Sequence, residues 1–179
     1  MQSLIHHGFR RFLLLNSHAG NQNITRFVID RINQDTPGIA VDLGDAAATM
    51  PAQAEPGGTA TAFDRHAGVG ETSTGLYLFP SLVRLDQARQ ITLTLPPHLS
   101  AMLPQVVAGD PAVTLVFLAE GLKPLDTGKK TSTREMSSTG AWSERDPREV
   151  TAEQGRRSTE SFVDRAVRFI DRWKVLRPM

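Results

Sequence analysis

The stretch Gly8-Phe9-Arg10-Arg11-Phe12-Leu13-Leu14-Leu15-Asn16-Ser17-His18-Ala19-Gly20-Asn21 decides the fold class. Residues 9–16 form a short apolar run bounded by turn residues, the pattern of a buried central strand in a parallel sheet. Before it, residues 3–7 read as the last turn of a helix, because Gly8 suits the left-handed position that closes helices, and the chain is expected to open mid-helix. After it, residues 17–21 form a loop, and Ile24, Phe27, Val28 and Ile32 then recur at helical spacing until Thr36-Pro37-Gly38 stops them. Residues 39–43 are short and partly β-branched, so they read as the next strand. Strand, loop, helix, strand predicts an α/β domain with a parallel sheet.

Further along, residues 46–62 hold Ala, Gly, Pro and Thr with little apolar bulk and are expected to be a flexible loop. Residues 74–82 predict a helix broken near Pro80, and residues 91–95 alternate like a strand before Pro96-Pro97. Residues 113–119 are apolar but too short to assign, and residues 121–140, rich in Thr, Ser, Lys and Gly, are expected to be a second flexible loop. Thr151 and Gln154 form a capping-box pattern, after which Phe162, Ala166, Phe169 and Trp173, joined by Val163 and Ile170, mark one face of a long helix packed on the sheet. Arg165, Arg168 and Arg172 alternate with Asp164 and Asp171, which fits a solvated face or an anion or partner surface. There are no internal repeats, and residues 1–179 are expected to form a single domain.

With 20 basic against 19 acidic residues the net charge is +1, so no whole-protein field argues for nucleic acid or an anionic membrane surface. The absence of cysteine excludes disulfides, thiolate metal sites and a cysteine nucleophile, so any metal must rest on His, Asp or Glu. The longest apolar run, Phe12-Leu13-Leu14-Leu15, is far below the ~20 residues needed to span a bilayer. No secretion signal is legible, so a cytoplasmic protein is the default expectation.

Three segments carry candidate chemistry. His18 stands where a strand ends and a helix is about to begin, the edge at which open α/β sheets bind ligands. Its imidazole can ligate a borderline metal such as zinc, with Ala19 and Gly20 allowing close approach; it can equally be a hydrogen-bonded loop histidine. His66 and Glu71, separated by two glycines, can fold back on each other so that the carboxylate orients the imidazole for proton transfer. Alternatively, or at the same time, Glu71, Thr72 and Ser73 cap the helix that follows. Asp146-Pro147 before the last helix is turn chemistry first, and Trp142 either lines a pocket for a flat substrate or is simply buried. His6, His7 and His98 have no partners at metal-like spacing.

Together these segments resemble the creatininase family. The opening string is similar to that family's strand and Asn-Gly-His-Gly-Gly-Asn loop, with Ser17 in place of a glycine. His66-Ala67-Gly68-Val69-Gly70-Glu71-Thr72-Ser73 resembles its His-Ala-Gly-x-x-Glu-Thr-Ser signature. Asp146-Pro147-Arg148, followed by Thr151-Ala152-Glu153-Gln154-Gly155, resembles its closing Gly-Asp-Pro-x-x-Ala-Thr-x-Glu-x-Gly segment. The three stand in the family's order and span most of the chain.

The resemblance implies a three-layer αβα sandwich with a mostly parallel sheet, and hydrolysis of a non-peptide C–N bond, as in cyclic amides or formamides, at a one- or two-metal centre. It gives His18 the part of a metal ligand, His66 that of the proton-transferring histidine, and Glu71 that of its support. Ser17, Asn21 and Trp142 fall to substrate binding. The implied cofactor is a divalent metal, zinc ahead of manganese or iron, which would activate a water and polarise the carbonyl while His66 protonates the departing nitrogen. The implied partners are a small-molecule amide and further copies of the chain in a homo-oligomer.

Two departures shape the expectation. The family's opening Glu-x-His-Gly segment and the aspartate after it, which supply most of its metal ligands, have no counterpart here, so the domain is expected to be N-terminally incomplete. His18 alone falls short of the three protein ligands usual for catalytic zinc. Gly20 also stands where creatininase itself has a glutamate two residues beyond the metal histidine, which counts against creatinine as substrate. One outcome is an active amidohydrolase whose missing ligands come from elsewhere, including a separate chain. The other is a truncated or degenerate non-catalytic family member serving as a binding or assembly partner. A metal-free hydrolase using Ser17 or Ser73 as nucleophile is disfavoured, since neither lies in a Gly-x-Ser-x-Gly elbow.

Overall fold

Gly8 takes φ +93°, and around it Gly8 N donates to Ile5 O and Phe9 N to Leu4 O, closing helix α1 (Gln2–His6) through the left-handed turn that the glycine predicts. The structure, a computed structural model, describes residues 1–51, 64–121 and 136–176. They form a mostly helical α/β chain with a small parallel sheet, in two compact units: Met1–Glu55 with Glu160–Met179, and Pro56–Thr159.

In the first unit β1 (Arg11–Leu14) pairs in parallel with β2 (Ile39–Asp42), Phe12 opposite Ala40 and Leu14 opposite Asp42, with α2 (Gln22–Asp35) as the crossover between them. Phe12, Ile32 and Ala40 are buried together, with Ile5, Leu14, Val28 and Ile29 packed around them. Asn33 satisfies the backbone of Ala40 on both sides, accepting from Ala40 N at 2.7 Å and donating to Ala40 O at 3.0 Å. Thr36 ends α2 by donating to Ile32 O and accepting from Gly38 N.

Three expectations need correction in this unit. The predicted strand over 9–16 shrinks to four residues in a sheet that has two strands among the described residues, and its flanks Phe9 and Leu15 are 56% and 61% exposed. Leu43 leaves the second strand for α3 (Leu43–Ala48), because Asp42 Oδ1 accepts from Asp45 N at 3.0 Å and starts a helix. Residues 46–48 are therefore helical, with Ala46 and Ala47 buried, whereas residues 52–62 of the expected loop lie outside the described residues.

In the second unit β3 (Asp64–His66) pairs antiparallel with β4 (Trp142–Ser143), and α4 (Val69–Leu78) follows. This helix starts ahead of the predicted residue 74, because the Asp64 carboxylate reaches forward and accepts from Val69 N at 2.8 Å and Gly70 N at 2.7 Å. It ends at Leu78, before a separate turn over Pro80–Leu82. Helices α5 (Pro97–Val107) and α6 (Pro111–Gly121) pack through Leu99, Val106 and Phe117, with Met136 beside them.

The unassigned segment 113–119 lies within α6, whose start is capped by Asp110 Oδ1 accepting from Ala112 N and Val113 N. Its apolar residues surround the helix, so there was no periodicity to read. The strand predicted over 91–95 reduces to one bridge, Leu93 to Ser137, while Leu93 and Leu95 satisfy their apolar character by packing on the α5–α6 core. The loop expected over 121–140 holds the helix end Gly121 and the buried Met136 and Ser137, with residues 122–135 outside the described set.

Helix α7 (Ala152–Val175) opens with the predicted capping box: Thr151 N donates to Gln154 Oε1 at 2.8 Å and Gln154 N to Thr151 Oγ1 at 3.3 Å. Ala166 is buried, and Phe162, Phe169 and Trp173 are half-buried, while Val163 is exposed. The Arg11 guanidinium lies 5.8 Å from the Trp173 ring centre and donates to Trp173 O, tying the end of this helix to β1. Arg168 pairs with Asp164 at 2.8 Å and donates to Pro51 O, which makes it a structural residue of its face.

Candidate active site

Asn16 organises the loop that carries His18. Its Oδ1 accepts from His18 N at 3.1 Å, the turn that asparagine makes with a backbone two residues on, and its Nδ2 donates to Gln22 Oε1 at 2.8 Å. Gln22 Nε2 in turn lies 3.5 Å from Asp42 Oδ2, a carboxylate only 8% exposed at the end of β2. A polar chain therefore runs from buried Asp42 through Gln22 and Asn16 to the His18 main chain, across the carboxyl ends of β1 and β2. His18 O accepts from Asn21 N, and the imidazole lies over Gly20, where a β-carbon would be 2.8 Å from Nε2. The ring itself is exposed, as are Ser17 and Asn21. Among the described residues no group of three or more His, Asp or Glu side chains is placed to hold a metal, so His18 does not meet the three-ligand requirement of a catalytic zinc.

The His66 loop, in the second unit, is tighter. His66 Nδ1 stands 4.0 Å from Glu71 Oε1, with side chains 51% and 62% exposed. The other oxygen, Glu71 Oε2, accepts from Ala67 N at 2.8 Å, and Thr72 Oγ1 donates to Ala67 O at 3.2 Å. Both grips hold Ala67 at φ +49°, a left-handed conformation costly for a residue with a β-carbon. Next to it Gly68 is obligatory, since a β-carbon there would fall 1.7 Å from Asp64 Oδ1 and 2.7 Å from Ser143 Cβ. Thus Glu71 clamps the loop and faces His66, while Thr72 and Ser73 donate to carbonyls behind them rather than capping α4; Asp64 does the capping.

Asp146 accepts from Arg148 N at 2.9 Å and is gripped by the Arg148 guanidinium, which holds its carboxyl below the usual carboxylate range. That confirms turn chemistry for this segment. Trp142 stacks on Phe117 with ring centres 6.2 Å apart, so its ring belongs in part to the α5–α6 core. Beside the His66 loop a cleft of about 770 Å³ opens, lined by Ala67, Thr72, Pro147, Arg84, Gln87 and Arg89 among others. It borders two of the three motif segments.

A family model described as "Creatininase: Creatinine amidohydrolase" matches residues 1–170. The chain belongs to the creatininase family. A solved structure described as "Putative creatinine amidohydrolase" from Bacteroides fragilis NCTC 9343 is similar over 94% of this chain, with 22% identity and a TM-score of 0.52, a likeness of fold. The creatininase-family chain spans 56% of that protein's length. No curated protein matches.

Creatininase-family proteins are generally metal-dependent. In this member the structure reveals three residues that sequence reasoning passed over: Asp64, Gln22 and Asp42. The signal for Asp64 was its place two residues before His66 and four before Gly68, and that for Asp42 was an aspartate closing a strand ahead of an alanine-rich run. Gln22 carried none, because its role depends on the turn that brings it beside Asn16.

Proposed function

We propose that this chain is an amidohydrolase of the creatininase type, built as a three-layer αβα domain, that hydrolyses a non-peptide C–N bond in a small cyclic amide or formamide. The observation that carries the reading is the His66–Glu71 arrangement on the family's signature: an imidazole 4.0 Å from a carboxylate that is itself anchored on Ala67 N. Anchoring fixes where the carboxylate sits, beside the imidazole that is proposed to deliver a proton to the leaving nitrogen. Ser17, Asn21 and Trp142 are assigned to substrate contact on their motif positions.

His18 is the proposed ligand for a divalent metal, zinc ahead of manganese or iron, which would supply a Lewis acid and an activated water. No group of three His, Asp or Glu side chains among the described residues is placed to hold the ion, so the remaining ligands are proposed to come from outside them, a separate chain being one source. The working form is proposed to be a homo-oligomer. The test is to purify the protein, measure bound metal, and assay cyclic amides and formamides with added zinc, manganese or iron. Metal-dependent hydrolysis lost on replacing His66 supports the reading. A folded protein that hydrolyses none of these amides with any of the three metals, either alone or together with the chains that copurify with it, overturns it in favour of a non-catalytic assembly role.

A further inference from the structure

The cleft beside the His66 loop has a chemistry that the proposed reaction does not use. Arg84 and Arg89 both line it, no Asp or Glu does, and among the described residues neither arginine has a carboxylate within ion-pairing distance. The two are brought to the same cavity by the turn over Leu85–Gln87, in which Gln87 N donates to Arg84 O at 3.0 Å and Ala88 N to Leu85 O at 3.1 Å. Ser138, which also lines the cleft, is pinned in place: its N donates to Thr92 O at 2.8 Å and its Oγ accepts from Thr92 N at 3.0 Å. At about 770 Å³ the space suits a small molecule, and a bonded wall spares a ligand the entropy of ordering it.

We propose that this cleft binds the anionic group, a carboxylate or a phosphate, of a small-molecule ligand, with Arg84 and Arg89 as its cationic contacts. Guanidinium forks match the oxygens of either group, and unpaired guanidiniums pay no cost of breaking an existing ion pair. Net charge is only +1, so the attraction is local to the cleft and weakens with salt. Ala67, which follows His66 directly in the chain, lines the same cavity. If the amidohydrolase reading holds, on which this further step rests, the substrate is an amide that also bears an acidic group.

The experiment reads binding, not turnover. Isotopically labelled full chain is titrated at low ionic strength with succinate and, separately, with inorganic phosphate, following backbone amide shifts. Saturable shifts at residues 84–90 and 138–141 are expected, weakened about tenfold in the Arg84→Gln/Arg89→Gln double variant and partly kept in the Arg84→Lys/Arg89→Lys variant. The stronger of the two anions identifies the group. Both arginines are exposed, so the variants are expected to melt like the parent. The proposal is overturned if neither anion produces saturable shifts there, or if the folded Gln variant binds both unchanged. Anion binding without amide hydrolysis would leave this inference standing and remove the proposed reaction.

Discussion

Gly155, in the first turn of α7, lies directly against the main chain of Ser73: a β-carbon on it would be 1.9 Å from Ser73 O, 2.3 Å from its carbonyl carbon and 2.7 Å from Thr74 N. The last glycine of the third motif is thus the seat on which the helix of the second motif rests. Backbone atoms cannot rotate aside as a side chain can. Gly155→Ala is therefore expected to destabilise the second unit by about 2 kcal/mol or more, the cost of forced overpacking. Thermal and urea unfolding measure it, and a variant as stable as the parent would show the approach to be looser.

Ala67 pays for its φ of +49° through the grip of Glu71 and Thr72. Ala67→Gly removes a strain of about 1–2 kcal/mol and adds unfolded-chain entropy of about 0.4–1 kcal/mol, so a net stabilisation of up to about 1 kcal/mol is expected. Ala67→Val, β-branched, is expected to cost about 1–2 kcal/mol. Equal stability of the two variants in urea melts would contradict a left-handed Ala67.

Asp146 sets a pH signature. Its carboxyl is held below its ordinary value of 3.8 first by the side-chain hydrogen bond from Arg148 and then by the Arg148 backbone N–H. A depressed folded value means the stabilisation is fully present above the unfolded value near 3.8 and is lost as pH falls through the lower folded value. Asp146→Asn is therefore expected to cost stability by its full, nearly constant amount at neutrality, a difference that shrinks as pH falls below about 3.8. Stability curves for the two proteins that run parallel through the acid range would refute this.

Gln22 bridges the buried Asp42 and Asn16. Gln22→Ala leaves Asn16 Nδ2 and one oxygen of Asp42 without that partner, at an expected cost of about 1–2 kcal/mol. The more telling readout is local: the amide of His18, bonded to Asn16 Oδ1, should exchange faster with solvent in the variant. Unchanged exchange at that amide would mean the turn holds without the bridge.

On the proposed function, His66→Ala is expected to lower kcat by roughly 10²- to 10⁴-fold, the usual worth of a positioned proton donor. Glu71→Gln keeps the anchor on Ala67 N while removing the charge facing His66, so its loss should be smaller and confined to catalysis. Steady-state assays alongside melting curves separate the two effects. If Glu71→Gln unfolds the loop as His66→Ala silences the reaction, the carboxylate is structural alone.

Much of the first unit was legible because its signals are local. The apolar run at Phe12, the helical spacing of Val28 and Ile32, the stop at Thr36-Pro37-Gly38 and the closing glycine Gly8 all act within a few residues, and each marks an element that is present. The Thr151–Gln154 box is of the same kind. What escaped carried no such signal. Helix α4 begins at Val69 because its cap, Asp64, reaches over a strained alanine, and α6 offered no apolar stripe because its apolar residues lie all round it.

Sequence by itself determined the family and the order of the three motifs, and marked His18, His66 and Glu71 as candidates, since motifs are written in residue types and spacing. Only the tertiary structure decided that Glu71 anchors Ala67 beside His66, that Asp42 reaches the His18 loop through Gln22, and that position 155 admits nothing larger than glycine. Hydrogen bonds and steric limits between residues far apart in the chain depend on its path through space. Propensity and periodicity, which act over a few neighbouring residues, carry no record of that path.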